Sequence, residues 1–110
     1  MSKRITDAQI YGLLWMRSTT FGAISELHGP PQLIELPDRR TLMLYRTAFD
    51  RQGLLGLVRR GFAADRKSGL YEITDAGINE LTRPAITRRI DDMVEQTTKY
   101  QTDLNNRVDD

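Results

Sequence analysis

The segment from residue 54 to residue 81 constrains the fold most, because it combines a helix end, a hairpin and a helix start. The residues before the hairpin have the apolar spacing of one helical face: Leu54, Leu57 and Val58. Gly61 follows at the position where a left-handed glycine commonly ends a helix. Two short β-prone runs, 62–64 and 70–74, flank a polar loop of hairpin length. Thr74 is suited to cap the next helix. The segment therefore predicts a hairpin with a basic tip between two helices.

This series of residues can be written Leu-x-x-Leu-x-x-x-Gly-Phe, a basic loop, and Tyr-x-x-Thr-Asp-x-Gly. It resembles the winged helix-turn-helix of transcriptional regulators of the MarR and PadR kinds. The resemblance is good over residues 54–81, looser over 38–53 and absent as a motif before that. It implies DNA binding, with the helix before Gly61 entering the major groove and the hairpin acting as the wing.

Charge is distributed unevenly along the 110 residues, although the formal net charge is only +1. Residues 39–67 contain eight basic and two acidic side chains, a net charge of +6, whereas residues 84–110 contain four basic and six acidic ones, a net charge of −2. A basic middle and an acidic tail favour a nucleic-acid interface with a separate assembly element. A well-solvated protein surface is the alternative interpretation.

The first third of the chain predicts two helices and a strand. Thr6 and Gln9 have capping-box spacing, and apolar residues follow at helical spacing, so a first helix is expected over residues 7–18. Residues 20–27 are a second helical candidate, which the Gly-Pro-Pro sequence after it would end. Residues 32–37 alternate enough for a short strand, which we expect to pair with the wing.

Residues 38–60 cannot form one helix, because their apolar residues would point to nearly opposite sides. We therefore predict a helix over 38–45, a turn, and a recognition helix over 47–60 with a capping pattern from Thr47 to Asp50. The outward face of that helix would carry Ala48, Phe49, Gln52, Leu55, Gly56 and Arg59. Gln52 can read adenine edges. Phe49 and Leu55 cannot donate hydrogen bonds, and exposed they would suit a protein partner instead.

The C-terminal segment starts at Pro84, which suits the first position of a helix. Six residues recur there with heptad spacing: Ile86, Ile90, Met93, Thr97, Tyr100 and Leu104. This seam is short for an isolated coiled coil, and it predicts a helix that pairs with its copy in a two-fold dimer interface, as in the PadR-like regulators. The alternative is a helix that packs back on its own domain.

Catalysis and metal binding have little support in the sequence. The chain lacks cysteine and has a single histidine, and no acidic pair, glycine-rich phosphate loop or metal-ligand cluster stands at a telling spacing. We therefore expect neither an enzyme nor a cofactor or metal site. The apolar run near the N-terminus is too short to span a bilayer, and the protein is expected to be cytoplasmic.

The predicted architecture is mainly α with a small β-hairpin (α+β), as a winged helix domain over residues 1–83 and a dimerisation helix over 84–110. The predicted function is sequence-specific duplex DNA binding by a dimeric transcriptional regulator; the alternative is a winged helix that docks on a protein through Phe49 and Leu55. The candidate DNA-binding residues are Arg39, Arg40, Arg46, Arg51, Gln52, Arg59, Arg66 and Lys67.

Overall fold

The computed structural model describes residues 4–19, 23–24, 31–44, 49–67 and 69–108, with side chains up to residue 102 except those of 23 and 24. The described part is an α+β fold of four helices and two small antiparallel sheets. Its helices and strands are α1 (Asp7–Ser18), β1 (Ala23–Ile24), β2 (Gln32–Glu35), β3 (Thr41–Leu44), α2 (Arg51–Arg59), β4 (Ala63–Asp65), β5 (Tyr71–Ile73), α3 (Asp75–Glu80) and α4 (Pro84–Val108).

Helix α1 begins where the sequence predicts and forms the centre of the core. The capping box is confirmed: the backbone N–H of Gln9 donates to Thr6 Oγ1 at 3.1 Å, and the N–H of Thr6 donates to Gln9 Oε1 at 2.8 Å. Most of α1 is buried, and α2, α3, α4, β1 and β5 all contact it. A helix enclosed in this way is the scaffold on which the other elements are arranged.

The predicted hairpin between two helices is confirmed. Gly61 has φ of +78°. Its N–H donates to Val58 O and the N–H of Phe62 donates to Leu57 O, both at 3.0 Å, and these two bonds form the Schellman motif that ends α2. Strands β4 and β5 pair in antiparallel fashion, with Ala63 opposite Ile73. Thr74 then caps α3, its hydroxyl accepting from the N–H of Gly77 at 3.1 Å.

The strand that pairs with the hairpin is β1 rather than residues 32–37. The three-stranded sheet has the order β1-β5-β4, so a strand occupies Ala23–Ile24 inside the segment predicted as a helix over 20–27. That helix prediction is wrong at residues 23 and 24, and its other residues lie outside the described part. The strand predicted at 32–37 exists as β2, but it pairs with β3.

The helix predicted over residues 38–45 is wrong, because residues 41–44 form β3. Leu42 and Leu44 are fully buried while Thr41 is exposed, an alternation typical of a strand with one buried face. The connection from β2 is a tight turn: Arg39 N donates to Leu36 O and Leu36 N donates to Arg40 O, both at 2.8 Å. Tyr45, the last residue of that predicted helix, lies outside the described residues.

Helix α2 begins later than predicted, and this moves Phe49 into the core. Asp50 is the N-cap, its Oδ1 accepting from the N–H of Gly53 at 2.8 Å, whereas Thr47 and Ala48 lie outside the described residues. Phe49 precedes the helix with 0% exposure, and its ring fills the place of a side chain at Gly12, where a Cβ atom would lie 2.5 Å from Cζ. The expectation of an exposed Phe49 is therefore wrong.

The heptad seam of α4 packs on its own chain. Ile86, Ile90, Met93 and Thr97 are buried in the core of the single chain, and α4 contacts β3 extensively. This is the alternative interpretation of the seam, and its physical reason is the β2–β3 hairpin, which supplies an apolar face that the predicted helices did not. Dimerisation through α4 stays a prediction, resting in the described part on Tyr100, 49% exposed; the Leu104 side chain lies outside it.

Thr97 joins α4 to the outer edge of β3. The backbone N–H of Met43 donates to Thr97 Oγ1 at 3.0 Å, and the same hydroxyl donates to Met93 O at 3.1 Å. A strand edge has unpaired backbone donors; a helix can cover such an edge, and a polar side chain on it can accept from one of the donors, as Thr97 does here. A polar residue at a seam position thus has a purpose within one chain.

We expect Thr97→Val to lower the free energy of unfolding by about 1–3 kcal/mol, because the partly buried N–H of Met43 would lose its acceptor. Thr98→Val is the matched control: Thr98 is exposed, and among the residues that the structure describes its hydroxyl donates only to Val94 O, within its own helix. Urea denaturation of both variants provides the measurement. Equal stability of the two variants would show that the contact between Thr97 and Met43 contributes nothing.

Candidate nucleic-acid interface

The exposed face of α2 carries two arginines and a glutamine. Arg51, Gln52 and Arg59 are exposed, with the half-buried Leu55 between them on the same face, while Leu54 and Leu57 point into the core. The side chains of Arg51, Gln52 and Arg59 make no hydrogen bond or ion pair with any residue that the structure describes. This face can therefore offer three hydrogen-bonding side chains to a partner without breaking a polar contact to the described part of the chain.

The tip of the β4–β5 hairpin adds two more cations directly after α2. Arg66 and Lys67 are both exposed; Arg66 Nε lies 2.8 Å from Glu72 Oε2, and the backbone N–H of Lys67 donates to Asp65 Oδ1 at 2.8 Å. Lys67 has φ of +66°, a left-handed conformation that glycine or asparagine adopts more easily. The backbone conformation at residue 67 therefore does not explain why a lysine occupies this position.

Carboxylates from outside the basic segment reduce its effective charge. The net charge of +6 over residues 39–67 omits Glu72 and Asp91, which pair with Arg66 and Arg40. The Arg66–Glu72 pair is exposed on both sides, and such pairs contribute about 0–1 kcal/mol. A phosphate can therefore bind Arg66 at little cost in free energy, either in place of Glu72 or together with it.

Arg40 serves as a cross-link and not as part of the α2 face. Its guanidinium lies 2.8 Å from Asp38 and 2.8 Å from Asp91, which ties the β2–β3 turn to α4. The N–H of Arg40 lowers the pKa of Asp38, helped by the Arg40 side chain, and the bonds to Asp91 and then Asp38 raise the pKa of Arg40. The contribution of Asp38 to stability is thus present above its ordinary pKa and is lost as the pH falls through the lowered value.

Of the remaining two predicted DNA-binding arginines, the structure describes only Arg39, which does not lie on α2. Arg39 is exposed in the same turn as Arg40, with φ of +72°, and its side chain makes no contact of a polar kind with the described residues. Arg46 lies outside the described residues. The structure therefore gathers five of the eight predicted residues on α2 and the hairpin that follows it: Arg51, Gln52, Arg59, Arg66 and Lys67.

A second basic site was missed in the sequence. Four arginines from separate parts of the chain line one cavity: Arg4, Arg60, Arg83 and Arg89. Local sequence carries no signal for this cluster, because its members come together only when the N-terminal segment, the end of α2 and the start of α4 meet. One of its ion pairs, between Arg89 and Asp7, joins residues 82 positions apart.

Neither a metal centre nor a membrane span is found in the described part of the chain. Groups of three or more histidine, cysteine or carboxylate side chains arranged to hold a metal ion are absent from the residues searched. Among those same residues, every helix is too short or too polar to cross a bilayer.

Comparison with known proteins found no relative of the chain. Searches against protein-family models, curated proteins and solved structures returned no significant match to the chain.

Proposed function

We propose that the protein binds duplex DNA through the exposed face of α2 and the tip of the β4–β5 hairpin, and that it acts as a transcriptional regulator. The observation that carries the proposal is the common exposure of Arg51, Gln52 and Arg59 on one face of α2, without polar partners among the described residues. The resemblance of residues 54–81 to winged helix regulators supports the same assignment. So does the sheet order β1-β5-β4, which gives the hairpin its third strand.

The residues of the interface have separate tasks in this proposal. Arg51 and Arg59 stand at the two ends of α2, where guanidinium groups can hold phosphates on either side of a groove. Gln52 lies between them and can make paired hydrogen bonds to an adenine edge. Arg66 and Lys67 would bind the sugar-phosphate backbone beside the helix and contribute affinity without sequence preference.

The alternative function, docking on a protein, has only half of its proposed surface accessible in the structure. It relied on Phe49 and Leu55, and Phe49 is fully buried against Gly12. Leu55 is half-buried and lies between arginines. A single half-buried leucine flanked by cations is a poor centre for an apolar interface, since such centres are depleted of charge. DNA therefore fits this face better than a protein does.

Binding to a mixed-sequence duplex should weaken steeply as salt rises, because phosphate contacts release counterions. Arg59→Gln should reduce the slope of log K against log salt by about 0.9, the value of one phosphate contact. Arg88→Gln removes the same charge from an exposed position on α4 and is the matched control. Fluorescence anisotropy from about 50 to 200 mM salt measures both slopes. No binding at about 50 mM salt, or an equal effect of the two variants, would contradict the proposed interface.

Lys67→Gly separates function from stability. Glycine adopts positive φ without strain, so the variant should be as stable as the parent or up to about 1 kcal/mol more stable. The same variant should bind duplex DNA more weakly, since it loses a phosphate-binding cation. Thermal unfolding and anisotropy on one preparation give both values. Unchanged affinity would remove the hairpin tip from the interface.

A further inference from the structure

A cavity of about 250 Å³ lies between the start of the chain, the end of α2 and the junction of α3 with α4. Four arginines line it, together with the carboxylate of Glu80 and the apolar residues Ile5, Ala85 and Ile86. Pockets for drug-sized ligands usually enclose about 300–1,000 Å³, so this one suits a smaller molecule.

Among the described residues, carboxylates do not pair with every arginine around the cavity. Arg83 Nη1 lies 2.6 Å from Glu80 Oε1, and Arg89 Nε lies 3.0 Å from Asp7 Oδ1 while its Nη1 donates to Ile5 O at 2.7 Å. Arg4 has no such bond to any residue that the structure describes. Arg83 and Arg89 are thus paired with carboxylates, whereas Arg4 brings to the cavity a positive charge that no described carboxylate pairs with.

The groups around the cavity have the chemistry of an oxyanion-binding site. Guanidinium groups present planar pairs of N–H donors that fit phosphate and carboxylate oxygens, and such charge-assisted bonds are stronger than neutral ones. Ala85, in the first turn of α4, also lines the cavity; its N–H makes no hydrogen bond with the described residues, whereas the N–H groups of Ile86 and Thr87 donate to Arg83 O. The positive end of the dipole of this long helix adds to the field of the arginines.

We propose that this cavity binds a small free oxyanion, of the class that a phosphate-bearing metabolite presents. Arg4 supplies an uncommitted guanidinium, and Arg83 and Arg89 are held in place by Glu80 and Asp7. The cavity is small, concave and flanked by apolar residues, which suits an isolated anionic group better than an extended polymer. The proposal does not depend on DNA binding by the α2 face.

Titration calorimetry with inorganic pyrophosphate tests the proposal. The parent protein should bind pyrophosphate at a single site, and Arg4→Gln should raise the Kd about tenfold, as expected for loss of one charge-assisted hydrogen bond. Arg88→Gln, an exposed arginine of α4 outside the cavity, should leave the Kd unchanged. The amide resonance of Ala85 should shift during the titration. Arg4 is exposed, so its replacement leaves the core intact.

A second arm distinguishes a free anion from the phosphates of DNA. Arg4→Gln should leave the affinity for duplex DNA unchanged if the cavity serves a free ligand. Equal weakening of duplex and pyrophosphate binding would assign the cavity to the nucleic-acid interface and overturn the proposal. Absence of pyrophosphate binding, or the same loss in Arg4→Gln and Arg88→Gln, would overturn it as well.

Discussion

The close contact between α1 and the segment that leads into α2 is the interaction on which the rest of the structure depends. The ring of Phe49 lies against the bare backbone of Gly12, and no larger residue fits there. Gln9, nearly buried, uses its Oε1 to cap α1 and its Nε2 to donate to Gly53 O at 3.0 Å. These contacts fix α2 on α1 and decide which of its faces reaches solvent. The candidate DNA-binding face is therefore a consequence of how the opposite side of α2 is packed.

The β2–β3 hairpin depends in turn on its contact with α4. A two-stranded sheet is marginal alone and needs an apolar cover for its face and edge. Helix α4 provides both, through its buried seam and through the hydroxyl of Thr97 on the N–H of Met43. The apolar stripe that looked free for a second subunit thus completes the core of one chain. Leu33 on β2 and Tyr100 on α4 remain as large exposed side chains of this region.

Features set by neighbouring residues could be predicted from the sequence. The cap of α1 by Thr6, the end of α2 at Gly61, the hairpin and the cap at Thr74 all depend on contacts within a few residues. The predicted start of α2 rests on the capping pattern from Thr47 to Asp50, whereas in the structure Asp50 itself is the N-cap and the ring of Phe49 packs against Gly12, a contact that the local pattern does not reveal.

Features set by distant residues could not be predicted. The apolar residues of β3 satisfy either the helical or the strand periodicity, and only its pairing with β2 and its contact with α4 favour the strand. Strand β1, which pairs with β5 on the side opposite β4, has only two residues and no sequence signal of its own. Of the candidate site, α2 and the hairpin tip were predictable as one continuous segment. The bond of Arg40 to Asp91 and the arginine cavity were not, since they join separate segments.

Chemical-shift mapping during titration with a duplex tests the central claim of a DNA-binding α2 face most directly. The account predicts that backbone amides shift together at Arg51, Gln52, Arg59, Arg66 and Lys67, while those of the buried part of α4, from Ile86 to Thr97, stay in place. Shifts confined to the exposed surface of α4 or to the β2–β3 turn, with α2 and the hairpin tip unaffected, would contradict it.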